Sequence, residues 1–259
     1  MAAKSLSSLF VDILKPEGFL RNGKAFFARQ GDGVLVSIAE EYEPSMGFSV
    51  LGVGFLSMYG EILPQWLTPS GCLASYPAFE LYDPNYYRIR EPGGSGEWNI
   101  IGTPKMWKRA GFMPFPFENG VQEAEQEYLK KMDPEYQTEI FRSFVLPKIF
   151  EVDTQEKLCN VIDRVSPFPN NSFKIFPLLA CGRYADAQNV VSAIIEQNRS
   201  ALLRKGYSQA EAQLDPCVKK YLALEQMIAE EKYIDLLLKE NFEQNTELFE
   251  QQFCKKEER

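Results

Sequence analysis

Near the start of the chain, Leu6, Leu9, Phe10, Ile13 and Leu14 fall on one face of a helix, and Lys15-Pro16-Glu17-Gly18 ends that pattern with helix-breaking residues. A short amphipathic helix is therefore expected to open the protein. Residues 25–29 and 34–38 are β-rich runs separated by Gln30-Gly31-Asp32-Gly33, the turn chemistry of an antiparallel hairpin. Residues 48–58 predict a third strand, apolar almost throughout, in which Gly52 and Gly54 mark a bulge or a close neighbour. From 59 to 116 the pattern loosens into a segment dense in proline, glycine and aromatic residues. Two more strands are predicted there, at 86–90 and 98–102, joined by Glu91-Pro92-Gly93-Gly94-Ser95-Gly96.

After Pro116 the apolar period becomes 3.6. Ile140, Phe141, Phe144 and Val145 form one stripe, and Leu158, Val161, Ile162 and Val165 form a second, introduced by Asp153 and Glu156 as a capping box. Ala187, Val190, Val191, Ile194 and Ile195 form a third, preceded by the hairpin junction Cys181-Gly182-Arg183-Tyr184. A final helical stretch runs from about Pro216 to Phe253, with Leu224, Met227, Ile228, Leu238, Phe242 and Phe249 on its apolar face. Glu231 and Asp235 intrude on that face, so a break or a shift of the stripe near 230–233 is expected. The fold class is α+β. A helix covers a mostly antiparallel sheet over 1–116, and a helical region follows over 117–259.

Composition narrows the chemistry. The 259 residues are 45% hydrophobic and 25% charged, the balance of a globular protein with a substantial core. With 28 basic against 36 acidic side chains the formal charge is -8, so a surface that follows duplex nucleic acid has no support. Histidine is absent, which removes Ser-His-Asp and Cys-His catalysis and every His-containing zinc site. Cys72, Cys159, Cys181, Cys217 and Cys254 are odd in number and widely spaced, as expected of reduced thiols in the cytoplasm. The first 14 residues lack the charge and apolar core of a secretory signal, and no run reaches the ~18 apolar residues of a membrane span. A cytoplasmic location, with no membrane partner, is the expectation.

Few motifs carry chemistry. Gly93-Gly94-Ser95-Gly96 lacks the Gly-Lys-Ser/Thr ending of a phosphate loop and reads as a hairpin turn. Glu40, Glu41 and Glu43, beside Pro44, read as solvated charges in an exposed turn. Cys217 follows Asp215-Pro216 at a predicted helix start, where the neighbouring carboxylate favours the inert thiol. No catalytic residue, cofactor or metal ligand is assigned.

Residues 15–29 read K-P-E-G-F-L-R-N-G-K-A-F-F-A-R after the opening helix and before strands. This resembles the opening of the bacterial domain-of-unknown-function family 4304, with matching positions Gly18, Phe19, Arg21, Gly23, Phe26 and Arg29. The likeness covers the first 60 to 105 residues. It implies a bacterial cytosolic protein with an α+β sheet domain, and it brings no catalytic residues with it.

Two functional expectations follow. The first is a non-catalytic protein that binds another protein, in its most concrete form an acidic immunity-type inhibitor of a basic partner. Eight acidic side chains against two lysines between Glu225 and Phe253 suggest it, and Glu240, Glu243 and Glu247 are the expected contact residues. The alternative is an enzyme or small-ligand-binding protein whose pocket, between sheet and helices, is lined by Trp66, Tyr82, Tyr86, Tyr87 and Trp98.

Overall fold

The structure is a computed structural model, and it describes residues 10–23, 25–43, 48–61, 74–84, 86, 130–131, 133–165 and 171–251. Five antiparallel strands form one sheet in chain order: β1 (Leu20–Asn22), β2 (Ala25–Gln30), β3 (Val34–Glu43), β4 (Phe48–Ser57) and β5 (Ala74–Pro77). The expected hairpin is present, with Gln30 opposite Val34 and Gly31 and Gly33 both at positive φ. β1 and β5 are short edge strands that the hydrophobic pattern did not single out, because three or four residues are too few to show an alternation. The strands expected at 86–90 and 98–102 lie outside the described residues, apart from Tyr86, whose N–H closes a turn on the Asp83 carbonyl at 2.8 Å.

Helices cover both faces of the sheet. Helix α1 (Val11–Leu14) brings Phe10, Ile13 and Leu14 onto one face; Leu6 and Leu9 lie outside the described residues. The same face receives α2 (Pro134–Ile140), a π turn (Phe141–Val145), α3 (Leu146–Phe150) and α4 (Gln155–Val165). Phe10 sits 4.5 Å, ring to ring, from Phe141, so the apolar core runs without division from α1 through the sheet into residues 140–162. The boundary expected at 116/117 lies outside the described residues, and the core does not separate around it. In the first helical stripe Phe144 turns outward instead of inward, because the π turn adds a residue to the ladder and shifts the phase.

A second cluster joins α4, α5 (Ile175–Ala180), α6 (Tyr184–Arg204), α8 (Pro216–Glu230) and α9 (Ile234–Phe249), with the short α7 (Gln209–Leu214) between α6 and α8. The stripe Ala187, Val190, Val191, Ile194 and Ile195 is buried there as expected. Helix α9 belongs to two clusters. Its start, Ile234 and Leu238, sits among the helices, while Phe242 and Phe249 cover the other sheet face at Phe27, Leu35, Leu56 and Met58.

Polar side chains fasten these layers. The tip of the β2–β3 hairpin lies against the start of α4: Asp32 N–H donates to the Asp153 carbonyl at 2.8 Å, and Gln155 Nε2 donates to the Asp32 carbonyl at 2.5 Å. The buried Ser57 hydroxyl donates to Gln155 Oε1 at 2.7 Å. From the other side, Asn245 Nδ2 reaches the carbonyls of Met58 and Gly60, and Asn241 Nδ2 reaches that of Tyr59. Two expectations are corrected here. Helix α4 is capped by the Thr154 hydroxyl, which accepts from Lys157 N–H, and Asp153 pairs with the Lys157 side chain, so no Asp153–Glu156 capping box forms. Glu40, Glu41 and Glu43 lie in β3, not in a turn, because β3 and β4 pair without interruption out to Glu43 and Phe48.

Candidate functional site

The aromatic residues expected to line a pocket separate into different settings. Tyr86 is 1% exposed, stacks on Phe79 at 4.8 Å and donates its hydroxyl to the Lys131 carbonyl at 2.7 Å, so its ring is part of the core. Burial holds its phenol well above the ordinary range. Tyr82 is exposed and rests on the equally outward Phe144 at 4.9 Å. Trp66, Tyr87 and Trp98 lie outside the described residues.

The thiols are spread in the same way. Cys159 is buried, which pushes its thiol up to about 12. Cys181 is half-buried and also raised, chiefly by desolvation. Cys217 is exposed, with its N–H bonded to the Asp215 carboxylate at 2.9 Å and the Asn198 amide 3.6 Å from its sulfur. Glu40 and Glu41 are neighbours on one strand and so point to opposite sides of the sheet. Among the described residues no group of three or more acidic or cysteine side chains is gathered as a metal would need.

The end of the helical region is organised differently. Three helices, α5, α6 and α8, end in the same hydrogen-bonded reversal, in which two successive N–H groups reach back past the last turn. In α5 and α6 the residue that turns into left-handed backbone is a glycine, Gly182 or Gly206. In α8 it is Glu231, at φ 49, and Tyr233 two residues later is again left-handed at φ 62. This is the break expected near 230–233. It resets the helical phase, so Asp235 leaves the apolar face and lies exposed in the first turn of α9.

Around α9 the two faces are opposite in chemistry. Ile234, Leu238, Asn245 and Phe249 are buried. At ~100° per residue, Leu236, Glu240, Glu243, Glu247 and Glu250 form one stripe on the far side, and all five are exposed, as is Tyr233 at the N-cap. Glu243 has Lys239 at 3.8 Å, and Glu247 accepts from Gln251 at 2.9 Å. Among the described residues, Glu240, Glu247 and Glu250 have no ion-pair partner. Glu240, Glu243 and Glu247 thus share one outward face, as their spacing predicts. The spacing of Leu236 to Glu240 and Glu243 already places it on the acidic face, but a lone exposed leucine or tyrosine carries no signal of its own in the sequence.

Comparison of the chain with family models, with curated proteins and with solved structures finds no match. No helix among the described residues is long and apolar enough to cross a membrane.

Proposed function

We propose that this protein works without catalysis, by presenting the outer face of α9 to a basic protein in the cytoplasm, in the manner of an acidic immunity-type inhibitor. The observation that carries this reading is the carboxylate row Glu240, Glu243, Glu247 and Glu250, aligned on the face of α9 opposite its buried side. A helix held from behind presents such a row with its backbone already ordered, and a row of one sign accelerates encounter with the opposite sign.

The test is a pull-down from the native cell at low salt, with the wild-type chain and with the triple variant Glu240→Lys, Glu243→Lys, Glu247→Lys. All three positions are exposed, so the variant is expected to keep the fold. The wild type should retain a basic protein that the variant loses, with an association rate that falls steeply as salt rises. Identical sets of retained proteins would return this helix face to the role of a solvated surface.

A further inference from the structure

The acidic row does not run to the end of the stripe. At its N-terminal end stand Tyr233 and Leu236, 69% and 52% exposed, among the most outward large apolar side chains among the described residues. They sit three positions apart at the start of α9, where Tyr233 is the N-cap and its carbonyl accepts from the Leu237 N–H at 2.9 Å. Tyr233 has left-handed backbone that a tyrosine rarely adopts, two residues after Glu231, which is left-handed where α5 and α6 use glycine. Strain of this kind persists where the surrounding structure fixes it, and it concentrates at binding sites. An outward tyrosine beside a leucine is the composition of an interface anchor, and carboxylates along the remaining ~21 Å of helix supply a steering rim.

Resting on the proposed function, we infer that Tyr233 and Leu236 are the anchor of the docking surface, and that its occupant is a basic protein surface presenting an apolar recess at one end of a row of lysine or arginine side chains. The cations of the partner meet Glu240, Glu243, Glu247 and Glu250, and the recess takes the tyrosine ring. The carboxylates set how fast the complex forms, and the anchor sets how long it lasts.

The experiment uses the full chain and two stapled helical peptides of about 20 residues as probes. Both carry the same row of lysines. One has alanine at every other position, and the second has a leucine pair at the end that faces Tyr233 when the helices lie antiparallel. Binding is followed by fluorescence anisotropy at about 50 mM and about 300 mM salt. The expected result is that the leucine peptide binds roughly tenfold more tightly than the alanine peptide. That preference should vanish in Tyr233→Ala/Leu236→Ala and in the milder Leu236→Gln, while both peptides lose binding in the triple lysine variant. Equal, salt-sensitive binding of the two peptides would overturn the anchor and leave the electrostatic reading standing. A leucine preference that survives Tyr233→Ala/Leu236→Ala would also overturn it. Failure of both peptides to bind would remove the electrostatic reading and the anchor together. Self-association of the chain alone, lost in Tyr233→Ala/Leu236→Ala, would assign the surface to a second copy and overturn the basic partner.

Discussion

At the tip of the β2–β3 hairpin, Gly31 adopts φ 36, and a Cβ placed there would overlap the Asp153 carbonyl oxygen. The glycine therefore answers both to the turn and to the approach of α4. Gly31→Ala is expected to destabilise the protein by ~2 kcal/mol or more, read as a lower urea midpoint at unchanged slope. A midpoint within error of the wild type would mean that the hairpin tip is not held against α4. Nearby, burial first and the hydrogen bond to Asp32 Oδ1 second push the Tyr59 phenol up to about 12 from an ordinary 10.0. The folded protein thus holds this proton more tightly than the unfolded chain does. The resulting stability is complete below about pH 10 and is lost as the pH rises towards 12. Stability measured across that window should fall less steeply in Tyr59→Phe, and an unchanged slope would show that the phenol ionises freely in the native state.

Among the elements, α8 and α9 show how a local choice at one turn decides a whole face. Helices α5 and α6 turn at Gly182 and Gly206, whereas α8 turns at Glu231. Left-handed backbone costs a non-glycine residue ~1–2 kcal/mol, offset in part by the entropy that glycine loses on folding. Glu231→Gly is therefore expected to stabilise the protein by about 0.5–1 kcal/mol, seen as a higher thermal midpoint. A lower midpoint would place Glu231 in an interaction stronger than its strain. The same turn marks where the sequence could be read and where it could not. Alternation and helical stripes were sufficient for the hairpin, the third strand and α6, whose buried residues are those the pattern names. They failed at β1 and β5, too short to carry a period, and at Phe144, displaced by a π turn that no residue type announces. Conflict between charge and apolar phase at Glu231 and Asp235 did reveal the break, yet the new face it creates depends on the angle of the turn. Glu240, Glu243 and Glu247 were legible because their spacing lies within one helix. Leu236 shares that spacing, and it and Tyr233 were passed over because a single apolar residue on a polar face makes no pattern.

In the whole molecule the sheet and the helices share a core that begins at Phe10 and continues to Ile162. Phe10 and Phe79 both meet the ring of Phe141, and the sheet's end is further tied by Gln155 on one side and Asn245 on the other. A fragment of residues 1–116 would lose the cover that residues 140–162 give that face. It is expected to lack a cooperative thermal transition and to bind a hydrophobic dye, and the full chain is expected to melt as a unit. A sharp transition in the fragment would show that the sheet is an independent domain. Polar latches such as Gln155 and Asn245 were not foreseeable from spacing, since each acts across more than 90 residues of chain and an amide in a helix carries no mark of its distant partner.

The position of α9 has a consequence for how this protein is damaged. Lys232 stands exposed in the turn between two left-handed residues, where a trypsin-like protease finds both its basic side chain and an accessible backbone. One cut there would leave α9 attached to the body only through its side chains. If the helix then departed, Phe27, Leu35, Leu56 and Met58 would face water together as a continuous apolar sheet surface. The clipped body would precipitate or recruit chaperones, so a single nick would remove the protein from solution and its acidic face with it.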